Sequence, residues 1–289
     1  MNYVLHILTM MSIYVILGLS VNLIVGFGGK LSLCHAAFYG VGAYAYSLMV
    51  MEAGYSFWVA LPFSVVFTGS LAFGIGIVAL RMAGDFFALA TLGFQTIVFV
   101  ILYNCVSLTK GPYGIAGIPR PNLVFLTEND AIGMFLLAMI AAAIVLLLCL
   151  RLASSPFGRA LQAVRDDAIA AQSIGKTPLY FTLVAFTLGG AFAAVAGSLF
   201  AVYASYIDPT SFTLDESVFV ICVVIIGGAG TTRGPIIGAV LLVILPELLR
   251  FIGLPDAIAA NIRQIIYGLL LILMMQFRPQ GIAGRYAFD

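Results

Sequence analysis

The chain has 289 residues, of which 63% are hydrophobic and 9% charged, with a formal net charge of +1. Soluble domains carry about 45–50% apolar and about 25% charged residues, so water cannot be the solvent for most of this surface. The near-neutral charge gives no basic face and excludes nucleic acid as a partner.

The apolar content supplies about nine crossings of roughly 20 residues each. In chain order, the predicted spans are Val4–Val25, Leu31–Met51, Phe57–Leu80, Phe86–Cys105, Ala131–Leu150, Thr182–Tyr206, Ser217–Ile226, Gly234–Leu249 and Gln264–Phe277. A glycine-rich turn, Gly26-Phe27-Gly28-Gly29, separates the first two, and Gly227-Gly228-Ala229-Gly230 ends the short seventh. These two turns echo each other faintly, and either neighbouring segment is a candidate for a broken or re-entrant helix. The fifth span is almost purely aliphatic, which suits a lipid-facing helix. Ser107–Asp130 carries Pro112, Pro119 and Pro121 and reads as a loop. The whole chain, 1–289, is thus an all-α polytopic transmembrane bundle of about 8–10 spans.

Basic residues concentrate on cytoplasmic loops of membrane proteins. With Arg151–Tyr180 placed inside, Arg151, Arg159, Arg165, Lys176, Lys30, Arg81, Arg233, Arg278 and Arg285 share that side. They are nine of the thirteen basic residues. The C-terminus is then inside and the N-terminus outside.

No Asp, Glu, Lys or Arg lies mid-span, whereas ion-coupled transporters keep such groups at membrane depth. Gly29-Lys30-Leu31 lacks the upstream glycine and the Ser or Thr of a phosphate loop. Cys34, Cys105, Cys149 and Cys222 have no metal-ligand spacing and read as small packing residues. Neither an energy source nor catalytic chemistry is visible in the chain, so a cofactor such as ATP with magnesium would have to sit in partner subunits.

Between Ser154 and Gly175 the pattern changes. Ser154 and Ser155 can cap a helix with Pro156 in its first turn. Phe157, Leu161, Val164, Ala168 and Ala171 form one apolar stripe, while Arg159, Gln162, Arg165, Asp166 and Gln172 lie on other faces. Gly175 stops the helix. On geometry alone this amphipathic helix is equally a solvated linker or a docking element.

Ala170-Ala171-Gln172-Ser173-Ile174-Gly175 resembles the loop by which permeases of ATP-binding-cassette (ABC) importers meet their ATPase, with Ile169 where that motif carries Glu. Gly158 to Asp167 resembles the branched-chain amino acid permease family more specifically. So do Gly29 to Phe38, Thr91 to Phe94, Ser107 to Pro121, Gly227 to Pro235 and Phe277 to Gly281. The resemblance implies a bacterial inner-membrane subunit that imports neutral amino acids by alternating access. Urea or short amides are the alternative, as in close relatives. A stand-alone channel, an ion-driven transporter and a membrane scaffold are the competing classes. The implied partners are a second homologous permease, two ABC ATPase subunits and an extracytoplasmic substrate-binding protein, all in or at the lipid bilayer. Arg159, Arg165, Asp166, Asp167, Ala170, Ala171 and Gly175 would form the coupling surface.

Two rows of small residues, Gly190/Ala194/Gly197 and Gly230/Gly234/Gly238, allow helix backbones to approach closely. Asn22, Ser32, His35, Gln95, Thr96 and Asn104 are polar groups within apolar spans. Each must face protein or a water-filled cavity, which makes it a candidate for the translocation path or for a helix–helix hydrogen bond.

Overall fold

A computed structural model describes residues 2–82, 84–121, 131–250, 256–278 and 280–284. Twelve α-helices follow in chain order: α1 (Asn2–Ile24), α2 (His35–Met51), α3 (Phe57–Ala79), α4 (Asp85–Asn104), α5 (Val106–Thr109), α6 (Ala131–Ser154), α7 (Pro156–Asp166), α8 (Ala168–Ser173), α9 (Pro178–Ala204), α10 (Leu214–Gly227), α11 (Gly234–Arg250) and α12 (Asp256–Phe277). Each of the nine predicted spans falls on one apolar helix among the described residues. Of these, α1, α3, α4, α6 and α9 are long and apolar enough to cross a membrane.

The sequence places α9 at the centre. Its buried face is mostly small, with Gly189, Gly190, Ala193, Ala194, Ala196, Gly197, Ser198 and Ala201 alongside Phe186, Leu199 and Val202. Helices α1, α2 and α3 pack against it. A methyl group at Gly197 would overlap the Tyr39 carbonyl, and one at Gly190 would meet Ala72 Cβ at 2.5 Å. Gly190, Ala194 and Gly197 therefore seat α2 and α3 within this one chain. By contrast, α6 buries only a narrow strip against α1, including Met134, Ala138 and Val145, and leaves Ile140, Ile144 and Leu147 exposed.

Two predicted boundaries need correction. The second span does not begin at Leu31: residues 29–34 are irregular, with Gly29 at φ +65°, and helix starts only at His35. The helix expected across Pro156–Ile174 is two helices. Asp167 breaks it with extended backbone, φ −152° and ψ 103°, and its carboxylate accepts from the Ile169 and Ala170 amides at 2.9 and 3.0 Å. An Asp that caps a helix so well favours starting a new one over continuing the old. The Ser107–Asp130 loop also holds more order than expected. Helix α5 and a 3-10 turn (Gly111–Tyr113) precede a two-residue strand, β1 (Ile115–Ala116). That strand pairs antiparallel with β2 (Tyr206–Ile207), tying the loop to the end of α9. Residues 122–130 lie outside the described region, as do Pro279 and Arg285.

Lys30, Arg165 and Lys176 line one cleft with Leu80, the neighbour of Arg81. The turn before Arg233 meets Asn22, Gly26 and the segment after Arg278. These basic residues, with Arg151 and Arg159 flanking the start of α7, therefore share one end of the bundle. Lys110 and Arg120 lie at the other end. Three of the cysteines, Cys34, Cys149 and Cys222, are buried, and all four are free thiols.

Candidate coupling and translocation site

Helix α7 is built as the sequence predicts. Ser155 Oγ accepts from the Gly158 amide at 3.2 Å, and Pro156 opens the first turn. Gly158, Ala160, Leu161 and Val164 face inward, as does Ala171 of α8, while Arg159, Asp166, Asp167 and Ala170 are exposed. Ala168, expected on the apolar stripe, is exposed because the break at Asp167 rotates α8. Gly175 ends the segment at φ +80°, a left-handed conformation that favours glycine. Ile169 and Ile174, 81% and 71% exposed, project from the outer face of α8 and its end.

Arg165 is not the surface charge that the sequence suggests. Its side chain is only 11% exposed. Nη1 donates to the Gly26 carbonyl at 2.9 Å, and Nε donates to Asp166 Oδ1 at 2.8 Å. Its aliphatic stem lies against Gly29, where a Cβ would come within 2.5 Å of Arg165 Cγ. Beside this contact a cleft of about 720 Å³ opens among the Gly28–Lys30 turn, Arg165, Gln172, and Lys176–Leu179 at the start of α9. That volume is within the roughly 300–1,000 Å³ of ligand-sized clefts.

The six polar path candidates do not form one group. Ser32, His35 and Gln95 meet around the first turn of α2. That turn begins inside the bundle, where its unsatisfied amides need partners. Ser217 Oγ accepts from the Ala36 amide at 2.9 Å, and Gln95 Oε1 accepts from the Ala37 amide at 2.7 Å. Gln95 Nε2 donates to the Phe212 carbonyl at 2.8 Å. Gln95 is thus a buried cap that joins α4, α2 and the turn before α10. Ser32 Oγ lies 3.4 Å from Cys34 Sγ. His35 is fully buried among Phe38, Phe186 and Gly189; neither ring nitrogen makes a hydrogen bond of normal geometry, although the Ser32 backbone is near. Thr96 and Asn104 lie on the exposed face of α4 and bond back to the Leu92 and Val100 carbonyls. Asn22 bridges α1 to the α10–α11 turn.

The glycines of the second row have a similar role. Methyl groups at Gly227, Gly234 and Gly238 would overlap the carbonyls of Gly234, Gly228 and Val223 respectively. Helices α10 and α11 therefore touch backbone to backbone. Gly230 meets Gly26, where an added Cβ would overlap both Asn22 Oδ1 and the Gly230 amide. The two glycine turns that echo each other in sequence are in contact.

A second cleft, about 380 Å³, opens between α1, α10, α11 and α12 toward the opposite end. Asp215, Glu216 and Glu247 line it. Gln264 Nε2 donates to Asp215 at 3.4 Å, Tyr14 lines the cleft beside Glu216, and Tyr3 donates to Glu247. None of the three carboxylates lies mid-span in the sequence, so nothing there marks them as one group. The missed signal is the Asp215-Glu216 pair opening a short apolar helix, where the helix dipole favours acids. None of the six path candidates lines either cleft. Among the described residues, no group of His, Cys, Asp and Glu has the arrangement of a metal site.

Comparison with known proteins places this architecture. The profile of the branched-chain amino acid transport system permease component matches residues 3–275. The high-affinity branched-chain amino acid transport permease LivM of Salmonella typhimurium is 37% identical over 297 aligned positions, covering 95% of this chain and 68% of the relative. LivM of Escherichia coli is 36% identical with the same coverage. The autoinducer 2 import permease LsrC of an Enterobacter species is 30% identical, covering 81% of this chain and 65% of the relative. No solved structure matches the chain. A chain of nine apolar helices, matched along almost its whole length, belongs to the branched-chain amino acid transport permease family and is a multi-pass membrane transport subunit.

Proposed function

We propose that this subunit carries branched-chain or similar neutral amino acids across a bacterial inner membrane, driven by ABC ATPases that dock on α7 and α8. One observation carries the docking assignment. Ile169 and Ile174 stand exposed beside a 720 Å³ cleft, at the end of the bundle where the basic residues gather. Exposed apolar side chains next to a cleft mark an interaction surface. Two ATPases, a second homologous permease and an external binding protein complete the assembly, and ATP with magnesium belongs to the ATPases. Coupling falls to Arg159, Asp166, Asp167, Ala170 and Gly175 at this surface, with Arg165 and Ala171 holding it in shape from beneath. The greater identity to the LivM relatives than to the autoinducer 2 permease favours an amino acid.

The basic end is the cytoplasmic end. Arg159 is exposed there, and Tyr113, 83% exposed, reports the other side. Single cysteines at the two positions, with the native four replaced, distinguish the orientations in intact cells. An impermeant thiol reagent labels Tyr113→Cys and spares Arg159→Cys; the reverse pattern overturns the orientation.

Substrate is tested in liposomes holding the whole complex. ATP-dependent uptake of labelled leucine is expected, competed by excess isoleucine and not by urea. Urea uptake with no leucine uptake would replace the amino acid reading.

A further inference from the structure

One buried side chain holds the α10–α11 turn to the end of α1. Asn22 is 1% exposed. Its Nδ2 donates to the Thr231 carbonyl at 2.9 Å, and its Oδ1 accepts from the Gly230 amide at 3.1 Å. An amide offers a donor and an acceptor in fixed geometry, and here both go to the same turn. Gly26 lies so close over this contact that a Cβ there would overlap Asn22 Oδ1.

The contact continues in both directions. Toward α7, the Gly26 carbonyl accepts from Arg165 Nη1 at 2.9 Å. Beyond the turn, Thr231 Oγ1 donates to the Ala283 carbonyl at 2.9 Å. The Ile282 and Ala283 amides donate to the Ile226 and Gly227 carbonyls at 3.0 and 2.9 Å. A continuous line of hydrogen bonds therefore runs from α7 through Gly26 and Asn22 to the α10–α11 turn and the C-terminal segment. The α10–α11 pair that it reaches carries Glu216 and Glu247 of the second cleft at its far end.

We infer that Asn22 is a positioning residue for coupling, transmitting displacement of α7 to the α10–α11 pair; this rests on the proposed docking of an ATPase at α7 and α8. The end of α1 and the α10–α11 turn meet at Asn22 and Gly26 with no room for a Cβ between them, so the two segments move together. Without the two amide bonds, α1 can shift with α7 while the α10–α11 turn stays behind.

The test compares Asn22→Leu and Asn22→Asp with wild type in liposomes containing the complete complex. ATP hydrolysed and leucine imported are measured in the same sample, and assembly is followed by gel filtration. Asn22→Leu loses both bonds. Binding-protein-stimulated ATP hydrolysis should stay within about twofold of wild type, while leucine moved per ATP falls at least tenfold. Asn22→Asp keeps the acceptor for Gly230 and loses the donor to Thr231, so its ratio falls by a smaller factor. A purely structural role would lower assembly, hydrolysis and uptake in parallel and leave the ratio intact. An unchanged ratio in either assembled variant overturns the inference, and Asn22→Asp decides alone if Asn22→Leu fails to assemble. Absence of ATP-driven uptake in wild type would instead overturn the underlying transport reading, and this inference with it.

Discussion

Gly234→Leu should reduce the yield of assembled, membrane-inserted protein at least tenfold. The Gly234 position has no room for a side chain: a Cβ would overlap the Gly228 carbonyl oxygen and lie 3.1 Å from Thr231 Oγ1. The obstructing atoms are mostly backbone, so no rotamer change relieves them. Overpacking a core costs typically about 1–3 kcal/mol even where side chains can yield. Here α11 must move away from α10, which also breaks the 3.1 Å hydrogen bond from the Gly234 amide to Thr231. Gly74→Leu is the matched control. A Cβ at Gly74 meets nothing within 4 Å, and the residue lies on the exposed face of α3. Its yield should stay within about twofold of wild type. Membrane-fraction yield and gel-filtration profiles of both variants check the pair. Equal yields would show that the α10–α11 contact is not a packing requirement.

Much of this architecture is legible in the sequence because a bilayer imposes a simple rule: every spanning backbone segment must satisfy its own hydrogen bonds. Apolar runs of spanning length therefore read directly as helices, and the nine predicted spans correspond to nine apolar helices. The rule fails to locate the start of α2, since residues 31–34 belong to the apolar run but leave the helical conformation. They can do so because Thr91 Oγ1 accepts from the Leu33 amide at 3.0 Å, and Ser217 and Gln95 cap the first turn of α2. Those partners lie on α4 and α10, more than fifty residues away, and local pattern cannot show them. The same holds for Arg165. Spacing puts it on the polar face of α7, yet its partner is the carbonyl of Gly26. Caps such as Ser155 and Asp167 are local, and the first was readable for that reason. The second is masked in the sequence because the apolar stripe runs on past it to Ala168 and Ala171.

The sequence also does not separate buried from docking positions on α7 and α8. Ala171 lies on the inner face, 3% exposed, so a bulky substitution there disturbs this chain itself and cannot report on a partner. Ile169 and Ile174 are the informative positions. Both are largely exposed and outside the apolar spans, where water would otherwise meet them. Exposed substitutions away from internal contacts change stability by roughly 0.5 kcal/mol or less, so Ile169→Glu with Ile174→Glu should fold and insert. At an interface the same changes place two carboxylates where an apolar contact was buried. A buried anchor is worth roughly 2 kcal/mol or more, about a 30-fold loss of affinity for each 2 kcal/mol. The direct measurement is ATP hydrolysis stimulated by the binding protein, together with ATP-driven leucine uptake, in liposomes reconstituted with all subunits and the double variant. The predicted result is a loss of at least tenfold in both activities and release of the ATPase on gel filtration, with the permease itself still inserted. Wild-type hydrolysis and uptake in a double variant that keeps its ATPase bound would contradict the assignment of α7 and α8 as the docking surface.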